Sequence, residues 1–431
     1  MVFKSISIKK NNYEYPLNLR GTAERNTERI LSYKAAAGAL ALLLLLLGGA
    51  ALQGGTALSG GTAGPVVVCY YGAPEPSAAR ALRPADIHPH LCTHINVAFA
   101  QIRDKQIHLE DYQRRVIADV VKLKQSNPNL KVLLSVGGAG AHAGFSEMVF
   151  NHTCRKTFIK SVKYTLRNLS LDGIDLDWEF PAVEYRRGQG KRERQHFSQL
   201  LREIRKEYER ERRDYLLTVA TAAPQIIVDA AYDVDQLNLY VDYVNLMTYD
   251  FHAFSPLTPL TGLNAPLFAR ASEQLYWATL NIDYTVQMYQ SKGLDPRKIV
   301  VGIPTYGHTF TLVNSENTKV GSPALSFGSL GELGFVNYPD VCEYINKFKN
   351  DSTVKVEKDA KVPYFYRHSE WVSYDDPESV VEKAKYIRSN NLRGAMIYSL
   401  NADDYDGVCR GLTGMGKFPL AQSVKNALDG T

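Results

Sequence analysis

The chain has 431 residues, 45% of them hydrophobic and 22% charged, with 50 Lys and Arg against 45 Asp and Glu. That balance excludes wholesale disorder, a collagen-like fibre and a multi-span membrane protein; the length suits one large α/β barrel or several smaller domains. Seven cations and three acids fall in residues 1–34, so the rest of the chain is close to neutral. A body with so little net charge has no bulk attraction for phosphate backbones, and nucleic acid is not an expected partner.

Ala35 to Leu52 is an 18-residue run without a charged side chain. At 1.5 Å per residue it would reach roughly 27 Å as a helix, close to the ~30 Å hydrocarbon core of a bilayer. The basic flank precedes it, so residues 1–34 are expected in the cytosol and 35–52 as a single transmembrane signal anchor of type II. Two other readings are a cleaved signal peptide, with Gly48, Gly49 and Ala50 near the cut, and a buried helix, which the missing polar face disfavours. Residues 53–65 follow as a flexible, glycine-rich linker. Anchor or leader, the body from residue 66 is expected outside the cytosol, extracellular or lumenal.

Cysteines and sequons agree with that compartment. All five cysteines (Cys69, Cys92, Cys154, Cys342 and Cys409) lie after the hydrophobic run and none forms a C-x-x-C pair. Two disulfides and one odd thiol are expected. Three N-x-[ST] sequons, at Asn151, Asn168 and Asn350, also follow the run.

From residue 66 onward, continuous apolar runs alternate with helical stretches. Strands are predicted near Val66–Tyr71, Ile95–Ala100, Val132–Val136, Gly173–Trp178, Leu216–Ala220, Tyr243–Met247, Ile299–Ile303 and Ala395–Ser399. Buried parallel strands read this way. Between them, Phe197, Leu200, Leu201, Ile204 and Tyr208 mark one helix face. The surrounding Arg186 to Arg213 interleaves Arg and Glu at i,i+4, which favours a solvated helix face over a basic patch for an anionic partner. Eight strand–helix units predict a TIM barrel. The long interval before the eighth strand predicts a small α+β insertion at 307–374.

The most informative segment is Leu171 to Pro181. Asp175, Asp177 and Glu179 stand at i, i+2 and i+4, so a strand presents all three carboxyls on one face. Like charges this close cannot all ionise, so at least one stays protonated at neutral pH, which is how a general acid is made. A cation site is the bland alternative, disfavoured in a dry barrel interior; no metal and no cofactor are expected.

Asp172-x-x-Asp175-x-Asp177-x-Glu179 resembles the D-x-x-D-x-D-x-E signature of the family 18 glycoside hydrolases, the chitinases and chitinase-like proteins. The segments beginning at Cys69, Asp86, Leu134, Met247, Ile303 and Ala395 resemble the family's other segments in the right order, so the likeness covers roughly 66–428. It implies Glu179 as general acid, and the substrate's own N-acetyl group as nucleophile, an exception to the two-carboxylate scheme. It further implies that Asp177 orients that acetamide, that Asp175 shares a proton with Asp177, and that Tyr249 holds the acetamide oxygen. Tyr71, Met247, Asp250, Tyr306 and Tyr398 are expected to line the sugar site. Asp172 is expected to support the strand from below. Cys69–Cys92 and Cys342–Cys409 are the implied disulfides, leaving Cys154 unpaired.

The chain departs from the family where sugars are gripped. Its three tryptophans are Trp178, Trp277 and Trp371. None stands at a usual stacking position. Ala139 follows Gly137-Gly138 in place of Trp, Pro74 lies near another, and Tyr398 replaces the cleft-floor Trp; His308 stands where an Arg often follows Tyr-Gly. The expected activity is endo-acting hydrolysis of β-1,4 linkages in chitin or N-acetylglucosamine oligosaccharides by a monomer. The alternative is a lectin or growth-factor-like protein that binds oligosaccharides without turnover.

Overall fold

A computed structural model describes residues 64–430 apart from 79–80 and 184–189. The expected cytosolic segment, the hydrophobic run at 35–52 and nearly all of the linker lie outside the described residues. Among the described residues no helix is long and apolar enough to cross a membrane.

In chain order come β1 (Val66–Gly72), β2 (His94–Arg103), β3 (Gln106–His108), β4 (Lys131–Gly137), β5 (Gly173–Asp177), β6 (Leu216–Ala222), β7 (Tyr243–Met247) and β8 (Ile299–Pro304). Then follow β9 (Tyr306–Leu312), β10 (Ala324–Ser326), β11 (Phe335–Asn337), β12 (Thr353–Glu357), β13 (Val362–Arg367), β14 (Glu370–Ser373) and β15 (Gly394–Tyr398). The parallel order β1-β15-β8-β7-β6-β5-β4-β2 is closed by a β1–β2 pairing. This is the expected TIM barrel. β3 hangs antiparallel on the edge of β2, and β9 to β14 form the separate antiparallel sheet of the insertion.

Two packed layers account for the strand composition. Val68, Tyr70, Tyr243, Val300 and Met396 fill the barrel interior. Val67, Cys69, Tyr71, Val97, Leu134, Leu176 and Trp178 point outward under the helices. A fully buried side chain of this kind contributes roughly 1.5–3 kcal/mol, so strands covered on both faces must be apolar throughout. Trp178 is the largest piece on β5's outer side: Phe145 stacks on it at 5.1 Å and Phe197 meets it edge-on at 5.6 Å.

The charged helix Gly190–Arg210 uses its polar face for ion pairs with its neighbours, through Lys163 to Glu207, Arg155 to Glu203, and Arg205 to Asp242, and Glu211 just past its end also pairs with Lys163. Cys69 is bonded to Cys92 and Cys342 to Cys409, while Cys154 is a buried free thiol.

Tyr71 requires a correction. It is fully buried on the outer side of β1, where its hydroxyl donates to Leu82 O at 2.9 Å. Strand alternation puts Tyr70, not Tyr71, inside the barrel.

Candidate active site

Ser135, Asp175 and Thr218 are register neighbours on β4, β5 and β6, so their inward side chains share one layer of the barrel. Asp175 is completely buried there. Its Oδ2 accepts from Tyr70 OH and Ser135 Oγ, both at 2.7 Å, and its Oδ1 from Thr218 Oγ1 at 2.6 Å and Asn245 Nδ2 at 3.1 Å. Burial raises its pKa; the four donors pull the other way without reversing it. A carboxylate offers about four acceptor positions, and here all are taken. No hydrogen bond joins it to Asp177 among the described residues. Asp175 acts on Asp177 through its charge.

Asp177 ends β5 and is 3% exposed, with Oδ1 lacking a hydrogen-bond partner among the described residues. Burial, then the charges of Glu179 and Asp175, push it well above the carboxylate range. Glu179 lies just beyond the strand, half-buried; burial first, and then the charge of Asp250, raise it from 4.5 to about 7. Glu179 is thus divided between its protonated and ionised forms near neutral pH, and Asp177 is shifted toward its protonated form. Gly137 allows this close packing beside β5. Its φ is +115°, and a Cβ there would lie 2.1 Å from Asp177 O.

Tyrosine rings form the surrounding floor. Tyr398 stacks on Tyr249 at 5.5 Å and 25°, and contacts Tyr70 at 5.5 Å and Tyr306 at 6.3 Å. Gly302 makes room for Tyr249, since a Cβ at that position would approach Tyr249 Cε1 to 2.9 Å. Across the floor, Asp250 Oδ1 accepts from Tyr306 OH at 2.6 Å and faces His308 Nε2 at 2.8 Å. Burial alone would raise Asp250; the His308 contact, its charge and the Tyr306 hydroxyl carry it below its usual value.

The structure brings Asp175, Asp177, Glu179, Tyr249, Asp250, Tyr306 and Tyr398 together, with Met247 beside Tyr249 in the same interior cluster. Asp172 stands apart at the start of β5, paired with Lys124 at 2.8 Å and accepting from Val132 N. Tyr70, Ser135, Thr218 and Asn245 were not anticipated. For Tyr70 a signal existed: Cys69 and Tyr71 share a face, and Cys69 is tied to the loop at Cys92. Among the described residues no group of His, Cys, Asp and Glu is arranged to hold a metal ion.

Known proteins resemble this chain in sequence and fold. The family model for glycosyl hydrolases family 18 matches residues 66–403. Chitotriosidase-1 of Mus musculus is 35% identical over 376 residues, covering 84% of this chain and 78% of its own. Chitinase-3-like protein 2 of Homo sapiens is 33% identical over 399 residues, 90% and 95% of the two chains. Among solved structures, the Group IV chitinase of Ostrinia furnacalis in complex with allosamidin has a TM-score of 0.78 at 34% identity, covering 85% and 99%. Human YKL-39, described as a pseudo-chitinase with retained chitooligosaccharide binding, has a TM-score of 0.76 at 33% identity, covering 85% and 100%.

Proposed function

Because the chain belongs to glycosyl hydrolase family 18, we propose that it hydrolyses β-1,4 linkages in N-acetylglucosamine oligomers or soluble chitin. The carrying observation is Glu179, a half-buried carboxyl held at about 7 beside a second buried acid. An acid constant so placed leaves a proton to give to the glycosidic oxygen and a carboxylate afterwards to activate water. Asp177 orients the substrate's acetamide, whose oxygen attacks the anomeric carbon in a retaining, substrate-assisted step, and Tyr249 holds that oxygen. Met247, Asp250, Tyr306 and Tyr398 line the sugar site. Neither cofactor nor metal takes part.

A second reading, oligosaccharide binding with little or no turnover, is favoured by one observation: tyrosine stands at the floor where the family usually has tryptophan. Delivery outside the cytosol is supported by the two disulfides and by Asn151, Asn168 and Asn350, all exposed. Among the described residues Asn151 uses its Oδ1, to accept from Cys154 N. Its Nδ2 is the atom a glycan would take.

The test is hydrolysis of a fluorogenic chitotriose analogue by the protein beside Glu179→Gln. Turnover that disappears in the variant supports the hydrolase. Equal silence of both, with chitooligosaccharide binding retained, establishes the binding protein instead.

A further inference from the structure

We propose that Glu193 is the positioning residue for Glu179, fixing the acid through one chain of hydrogen bonds behind the cleft; this rests on Glu179 being the general acid. The acid has left the strand ladder. β5 ends at Asp177, and Ala182, three residues past Glu179, adopts the left-handed region with φ 64°. Two tethers on either side of Glu179 hold this turn. Before it, Trp178 Nε1–H donates to His142 Nδ1 at 2.9 Å. After it, Ala182 N–H donates to Glu193 Oε2 at 2.8 Å.

The tethers converge on the same carboxylate. His142 Nε2 lies 3.1 Å from Ser146 Oγ, which donates to Glu193 Oε1 at 2.7 Å. The indole N–H can only donate, so His142 Nδ1 accepts; a proton on Nε2 then faces Ser146 Oγ, and the serine's own hydrogen goes to Glu193. Glu193 is 7% exposed. A carboxylate serving only the first turn of the helix Gly190–Arg210 would do so from solvent, without the cost of burial.

An amide cannot replace it. Glutamine accepts at one atom only, so if its oxygen keeps the Ala182 N–H, its NH2 faces Ser146. The serine oxygen, with two lone pairs, then accepts from both that NH2 and His142 Nε2–H, and its own hydrogen loses the carboxylate that held it. An isosteric change, with no volume lost, thus breaks the link that ties the two tethers together.

The experiment measures kcat, KM and the pH profile of the full chain on the chitotriose analogue for the parent, Glu193→Gln, Ser146→Ala and Glu179→Gln, with thermal unfolding of each. Glu193→Gln is expected to stay folded, with KM nearly unchanged, kcat lower on the order of 10²-fold, and a displaced alkaline limb. Unchanged kcat and limb in folded Glu193→Gln overturn the positioning role; the hydrolase reading is judged separately by Glu179→Gln. If Glu193→Gln does not fold, Ser146→Ala, which removes only the link between the tethers, is expected to lower kcat in the same sense. Parent-like kcat and limb in that variant overturn the proposal. A parent without turnover overturns the hydrolase reading and leaves no acid to position.

Discussion

Asp250→Asn separates the charge of Asp250 from its scaffold. Its Oδ1 takes both the Tyr306 hydroxyl and the His308 contact, and an asparagine oxygen accepts in the same place. What disappears is the negative charge, the second cause after burial of Glu179's rise from 4.5 to about 7. Since burial is the larger cause and persists, less than half of that interval is given back, on the order of one pH unit or below. With Glu179 as general acid, activity falls as pH rises through its acid constant. The alkaline limb of kcat/KM on the chitotriose analogue is therefore expected to move from about 7 toward about 6. Relative to the parent, the variant then loses up to about tenfold more activity above the limb than at acid pH. The comparison uses the limb's position, not its height, because Asp250 is also expected to touch substrate. A limb that stays at about 7, or moves up, would refute the coupling of Asp250 to the acid.

Tyr70→Phe removes one of the four donors to buried Asp175 and is expected to cost about 1–2 kcal/mol of stability and to lower kcat. Tyr71→Phe loses only the outward bond to Leu82 O and should keep parent kcat; the opposite ranking in paired denaturation and rate measurements would restore Tyr71 to the cleft. Tyr398→Trp enlarges the flat floor and should lower KM for the chitotriose analogue by up to about tenfold, as an added aromatic contact is worth ~0.5–1.5 kcal/mol; an unchanged or raised KM counts against stacking there. For Glu179 the folded acid constant of about 7 lies above its ordinary 4.5, so stability contributed by its protonated form is lost as pH rises through that window. Glu179→Gln should thus be more stable than the parent at pH 8, by at most about 3 kcal/mol. The difference should shrink near pH 4, and equal differences at both pH values in urea unfolding would contradict a raised pKa.

The barrel was legible because its strands are buried on both faces: Val132–Val136 and Ile299–Ile303 read as continuous apolar runs and fall inside β4 and β8. Three carboxyls two residues apart were equally plain. What failed had no local pattern. β3 and β10 are three residues long, and β12 is exposed along almost its whole length, so it has no buried face to generate a period. The donors around Asp175 come from four other strands, and only the closed register of the barrel sets them at one height. Glu193 looks like one more charge on a charged helix until Ala182 and Ser146 are seen to point at it. The Tyr71 error was avoidable, because period-two alternation from Cys69 already assigned it to the outer face.

Turnover and mere binding make different demands on such a cleft. Grip on a polymer comes from flat aromatic faces and neutral hydrogen-bond donors, interactions made equally in the ground state and the transition state. The family's tryptophans supply that grip, and here tyrosines stand at the floor: Tyr398 over Tyr249, with Tyr70 and Tyr306 around them. Buried carboxyls with raised pKa add little to such grip, and Glu179 is expected to lower folding stability above neutral pH. Their value appears only when charge develops on the leaving oxygen and on the sugar. Under the proposed hydrolysis, a site that keeps Asp175, Asp177 and Glu179 in one electrostatic unit while surrendering indole faces would serve proton transfer to short, loosely held oligomers, and weak binding with measurable turnover is the kinetic pattern that reading predicts.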